Sequence, residues 1–186
     1  MITNINNKET ITRARQVREV PQLPPLWREI LNLAIKIVVI TAIFVLVFNF
    51  IYGFHRSADT DMVSMIKSGD LVMFSRLDKN YPKGSIVILK YQDEYQLRRV
   101  AAVSADTVNI TDDGLVINGA TEQESEIYQK TRQYESGTQL PVTLGKDQVF
   151  ILGDARGNVK DSRKYGPVDT KNILGKVMVI LRKQNL

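Results

Sequence analysis

The stretch Ile37 to Phe54, IVVITAIFVLVFNFIYGF, limits what this chain can become more than any other part of it. It holds 18 residues with no charged side chain, and only Thr41 and Asn49 are clearly polar. As a helix rising about 1.5 Å per residue it would cover about 27 Å, close to the hydrocarbon core of a bilayer. Leu31 to Ile35 can lengthen it while Lys36 snorkels, and Trp27 and Tyr52 suit the two interfaces. The run is apolar on every face, unlike the helix of a small soluble core. A 36-residue leader precedes it and no Ala-x-Ala site closely follows, so it reads as a permanent anchor rather than a cleaved signal.

Charge sets the expected orientation. The chain carries a net charge of +5. Lys8, Arg13, Arg15, Arg18, Arg28 and Lys36 stand before the run against Glu9, Glu19 and Glu29. The positive-inside rule then makes residues 1–30 a cytoplasmic tail, 31–54 a transmembrane anchor and 55–186 an extracytoplasmic domain, in a single-pass protein of the cell membrane. The tail, polar and with Pro21, Pro24 and Pro25 near its end, is expected to be loosely ordered. Beyond the anchor the charges nearly balance and no basic stripe is interleaved with aromatics, which argues against a nucleic-acid partner. The chain has no cysteine and one histidine, His55. Disulfides, thiolate chemistry, multi-histidine metal sites and a Ser-His-Asp triad are thereby excluded, and no cofactor is expected. His55, just past the run, reads as an interface side chain.

After the anchor the pattern becomes short alternating apolar runs. Leu71 to Leu77, Ser85 to Tyr91, Gln96 to Val103, Val108 to Thr111, Leu115 to Ile117, Gln148 to Leu152 and Leu174 to Leu181 are predicted strands, rich in Val, Ile, Tyr and Phe. Tyr81-Pro82-Lys83-Gly84, Asp112-Asp113-Gly114 and Asn118-Gly119 supply turn chemistry between them. The polar stretch Glu122 to Tyr134 reads as an exposed insertion or a short helix. The expected fold class is mainly β, antiparallel sheets preceded by one transmembrane helix.

Three segments carry a resemblance. The first is Asp59-Thr60-Asp61-Met62-Val63-Ser64-Met65-Ile66-Lys67-Ser68-Gly69-Asp70. The second is Leu97-Arg98-Arg99-Val100. The third is Gly153-Asp154-Ala155-Arg156-Gly157-Asn158-Val159-Lys160-Asp161-Ser162-Arg163-Lys164-Tyr165-Gly166. In order and spacing they resemble the boxes of type I signal peptidases, membrane-anchored serine/lysine proteases. Met62, Gly69, Asp70, Arg99, Val100, Gly153, Asp154, Arg156, Asp161, Ser162, Arg163 and Gly166 match that pattern. Ser64 stands for its proline, Ala155 for its asparagine, Val159 for its serine and Tyr165 for its phenylalanine. The resemblance extends from the anchor to Lys183.

At the two positions that matter most the chain departs. The serine position is Asp61 and the lysine position is Arg98. An ionised aspartate offers no hydroxyl, and an arginine does not give up its proton to act as a base. Asp59 stands where some members keep a serine that holds the oxyanion, and a carboxylate there repels one. The resemblance therefore implies a degenerate site with no catalytic residue, in which Asp61 and Arg98 pair across the old centre. Asp59, Met62, Arg99, Asp154, Arg156, Asp161, Ser162 and Arg163 are the remaining cleft and motif residues it singles out, with Ser162 at the position that supports the lysine. Similarity to the inactive signal-peptidase-like pilus assembly proteins of streptococci implies a chaperone or assembly factor. Its client would be an extracytoplasmic polypeptide such as a pilin, with a pilus sortase as partner. The competing expectation is an active peptidase with an atypical centre.

Overall fold

The computed structural model describes residues 25–58, 60–125 and 127–182. The leader through Pro24, Asp59, Glu126 and residues 183–186 lie outside the described residues. The chain divides into two units, residues 1–44 and 45–186.

A helix runs from Leu26 to Ile51 with none of its residues buried. Its most apolar 18-residue stretch has a mean hydropathy of 2.7, and the helix is long and apolar enough to cross a membrane. It starts earlier than the expected anchor, so that Trp27 belongs to it, and it stops at Ile51. Tyr52, Gly53 and Phe54, expected within the anchor, instead begin strand β1, Tyr52–Arg56. Gly53 allows this. A Cβ there would stand 2.1 Å from Cζ of Phe74 on the paired strand, so only a bare backbone fits against that ring.

The second unit is built of antiparallel sheets. The larger sheet contains β1, β2 (Leu71–Ser75), β3 (Ile86–Tyr91), β4 (Glu94–Ala102), β9 (Gln148–Leu152), β10 (Val168–Asp169) and β11 (Ile173–Leu181). Their order is β1-β2-β11-β3-β4-β9-β10. The smaller sheet, β7-β6-β5-β8, uses β5 (Thr107–Thr111), β6 (Gly114–Ile117), β7 (Ala120–Thr121) and β8 (Val142–Thr143). The seven predicted strands are present, Gln148–Leu152 with the expected bounds and the others with shifts of one or two residues at their ends. Four were not foreseen. β7, β8 and β10 are two residues long, too short to carry a period, and β1 was hidden in the apolar run.

The core explains the sequence pattern. β3 reads Ile86-Val87-Ile88-Leu89 without alternation because both of its faces are covered. Ile86 and Ile88 pack with Met62, Ile66, Val72, Phe74 and Leu97, while Val87 and Leu89 pack with Val100, Val149, Ile151 and Ile173. β9 divides likewise, sending Phe150 and Leu152 to a third cluster with Val108, Ile110, Leu115 and Ile117 of the smaller sheet. Asp112-Asp113 turns β5 into β6 as expected. Asn118 and Gly119, at φ 52° and 83°, form the two-residue turn from β6 to β7 that needs left-handed backbone at both positions. Residues 122–134 form neither helix nor strand where they are described. The side chains of Glu124, Thr131 and Tyr134 are spent on tertiary contacts rather than on a helical face.

Candidate functional site

Arg98 and Arg99 are neighbours on β4, so their side chains leave opposite faces of the strand. Arg99 forms a two-pronged pair with Asp154, Nε to Oδ1 at 2.8 Å and Nη2 to Oδ2 at 2.7 Å, and donates to the Gly84 carbonyl at 3.2 Å. Arg98 goes to the other side and is almost wholly buried. Its Nη2 donates to Asp61 Oδ2 at 2.7 Å, its Nη1 to the Leu97 carbonyl at 2.6 Å and its Nε to the Lys160 carbonyl at 3.0 Å. The expected pair of Asp61 and Arg98 is therefore present. A buried guanidinium needs such a surround, since an uncompensated charge there would be costly.

Asp61 opens the turn 61–65; Met62 within it and Ile66 just after it enter the core. The Asp61 carbonyl accepts from Ala155 N–H at 2.8 Å, joining the first box to the third. Gly153 permits that approach: a Cβ there would meet Val159 Cγ1 at 2.6 Å and the Asp61 carbonyl at 3.2 Å. Ser64 has found a use of its own, donating through Oγ to Asp154 Oδ2 at 2.8 Å. Asp70 accepts from Lys67 N–H at 2.9 Å and so closes a turn.

Within the third box Asp154, Arg156, Asp161 and Arg163 form a buried charged knot. Asp161 caps the short helix Ser162–Tyr165 by accepting from Arg163 N–H and also accepts from Gly153 N–H at 3.1 Å. Arg163 grips the same carboxylate, with Nη2 to Oδ2 at 2.7 Å, and donates to the Arg156 carbonyl at 2.8 Å. Both side chains of that pair are fully buried. Arg156 pairs with Glu124 and donates to Thr131. Ser162 Oγ accepts from Ile151 N–H at 2.9 Å. Val159 is buried against Gly153, and its N–H donates to the Tyr134 hydroxyl at 2.9 Å. The Tyr134 ring lies under the Arg163 guanidinium, 4.6 Å from the centroid. Tyr165, which stands for phenylalanine, stacks on Tyr91 at 4.3 Å. Burial pushes its phenol upward, with nearby Arg98 pulling the other way.

Sequence reasoning missed Glu124, Thr131 and Tyr134, which tie residues 122–134 to the box. They lie in a polar stretch without periodicity, and nothing local marks them as partners of buried arginines. Asp59 lies outside the described residues.

A cleft of about 520 Å³ opens beside Asp61 and Arg98, walled by His55, Ala58, Glu94, Tyr95, Gln96, Asn158 and Lys160. The His55 and Tyr95 rings are 5.1 Å apart, and burial lowers the His55 pKa. Of the central pair, Arg98 is 1% exposed and Asp61 27%, so the carboxylate is the charge that faces the opening. Among the described residues no group of three or more His, Cys, Asp or Glu side chains could hold a metal.

Residues 30–182 match the model of the family described as signal peptidase, peptidase S26. Signal peptidase IB of Staphylococcus aureus (strain COL) is 30% identical over 169 residues, 81% of this chain and 88% of that protein. Signal peptidase I of Bacillus amyloliquefaciens is 27% identical over 156 residues, 78% and 84% of the two chains. A solved signal peptidase I from Enterococcus faecalis V583 aligns with a TM-score of 0.45 at 23% identity, over 53% of this chain and 97% of the other.

Proposed function

The chain belongs to the signal peptidase family, peptidase S26, and from that footing we propose that it is a member that binds without cutting. It would hold an extracytoplasmic polypeptide in the cleft beside Asp61 and Arg98. The observation that carries this reading is the 2.7 Å pair of Asp61 and Arg98. A serine/lysine peptidase needs a hydroxyl to attack the carbonyl and a neutral amine to take its proton. Here a carboxylate is bound to a guanidinium that stays charged.

The apolar helix and the family together support membrane association. The cationic residues ahead of the helix support an inward N-terminus and an outer β domain. The resemblance to streptococcal pilus assembly proteins extends the proposal to a chaperone role toward a pilin, acting beside a pilus sortase. The second reading, an active peptidase with an unusual centre, draws on the relatives' own description as signal peptidases.

The full chain in detergent, incubated with a signal-peptide substrate, separates the two. No cleavage is expected. Cleavage that disappears in Asp61→Ala would overturn the non-catalytic reading. Photo-crosslinkers at Tyr95 and Asn158, compared in cells with and without pilin, should capture the client. Crosslinks confined to positions outside the cleft would show a scaffold instead.

A further inference from the structure

Resting on the cleft reading, we infer that the Arg98 guanidinium is a latch. It occupies the place where a client's backbone would pair, and an extended peptide enters by displacing it.

β4 pairs with β3 from Glu94 to Arg99, but its ladder to β9 starts only at Arg99 and runs to Ala102. Among the described residues no strand lies against Glu94–Arg98 on that second side, which is the wall of the cleft. On an antiparallel edge, alternate residues turn both their N–H and their C=O outward. Arg99 faces β9 in this way, so Leu97, two residues before it, faces the cleft.

The Leu97 carbonyl is answered from within the chain, by Arg98 Nη1 at 2.6 Å. The same planar fork reaches across to the Lys160 carbonyl and to Asp61. It thus joins β4, the segment before the short helix and the first-box turn. An ammonium, a single point of charge, could not hold three partners in this fixed fan. Nearer the start of β4, Lys160 Nζ stands 3.6 Å from Glu94 Oε2, a second and more exposed tie across the same gap. The arginine is therefore more than a lost base: it fills the edge that a strand would use. The matching client is an extended segment that brings a backbone N–H to Leu97.

The test compares full-length wild type, Arg98→Met and Asp61→Asn in lipid nanodiscs. The probe is a fluorescein-labelled ten-residue peptide of alternating alanine and threonine. Fluorescence polarisation reads affinity and amide hydrogen exchange locates binding. Arg98→Met should bind about tenfold more tightly, as when one competing charge-assisted contact is removed, with slowed exchange over residues 95–97. Asp61→Asn, which loosens the latch while keeping its shape, should shift affinity in the same direction by a smaller factor. It carries the test alone if Arg98→Met does not fold. Equal or weaker binding by the folded variants, with protection still at 95–97, would overturn the latch and leave the cleft reading standing. Binding by none of the chains would overturn the cleft reading and the latch with it.

Discussion

Arg98 Nη2 lies 2.7 Å from Asp61 Oδ2 although 37 residues separate them, and the two side chains are very differently exposed. The asymmetry predicts unequal costs. Arg98→Ala removes the guanidinium from the Asp61 carboxylate and from the Leu97 and Lys160 carbonyls at once, and should destabilise the β domain by about 2–4 kcal/mol. Asp61→Asn leaves a partly exposed amide and should cost about 1 kcal/mol. Urea unfolding of the detergent-solubilised chain, followed by circular dichroism, checks both. Equal costs would mean that the carbonyl contacts contribute little.

Restoring the dyad should not restore an enzyme. In Asp61→Ser with Arg98→Lys, the Leu97 and Lys160 carbonyls next to position 98 would favour the charged ammonium. Ser64 is already committed to Asp154, and Ala155 and Val159 remain. Signal-peptide cleavage by the double variant is expected to stay below about one hundredth of that of an active relative, a deficit of about 2.7 kcal/mol or more in the barrier. Robust turnover would show that the surroundings are still tuned for catalysis.

Arg156 is the tie between the third box and residues 122–134. Arg156→Ala removes the partner of Glu124 and Thr131. It should cost about 2–4 kcal/mol and expose residues 127–137 to proteolysis while the sheets persist. Limited trypsin digestion with mass spectrometry reads this, and cleavage at Lys130 and Arg132 is the expected first event. An unchanged digestion pattern would mean that Tyr134 holds the segment without help.

Acidification should weaken the cleft wall through His55. Burial lowers its pKa, so below about pH 6.5 the unfolded chain binds the proton that the folded chain resists. Stability is then full above that pH and declines as the pH falls through the window down to the depressed folded value. Melting temperatures from pH 7.5 to 5 should fall in the wild type and fall less in His55→Gln. Parallel curves would assign the slope to other groups.

Much of the fold was legible because its signals are local. The β3 run, the Asp112-Asp113 turn and the Asn118-Gly119 turn each declare themselves within a few residues, through side-chain period and left-handed backbone preference. The apolar helix was equally plain in composition, but its end was not. Ile51 and Tyr52 differ little in sequence, and the change from helix to strand depends on Gly53 lying under the Phe74 ring.

The sequence by itself determined that position 61 carries a carboxylate and position 98 a guanidinium, and hence that neither side chain offers a hydroxyl or a neutral amine. Only the tertiary structure decided what Arg98 does instead. Among the described residues it also donates to two main-chain carbonyls, one of them 62 residues away at Lys160, and backbone carbonyls are identical at every position in a sequence. Which of them meets a buried guanidinium depends on where the β4–β9 ladder begins and how the third box folds back on the first. The same holds for Glu124, Thr131 and Tyr134. A polar residue in a loop shows its charge to the reader of a sequence, but its partner is chosen by the packing of distant segments.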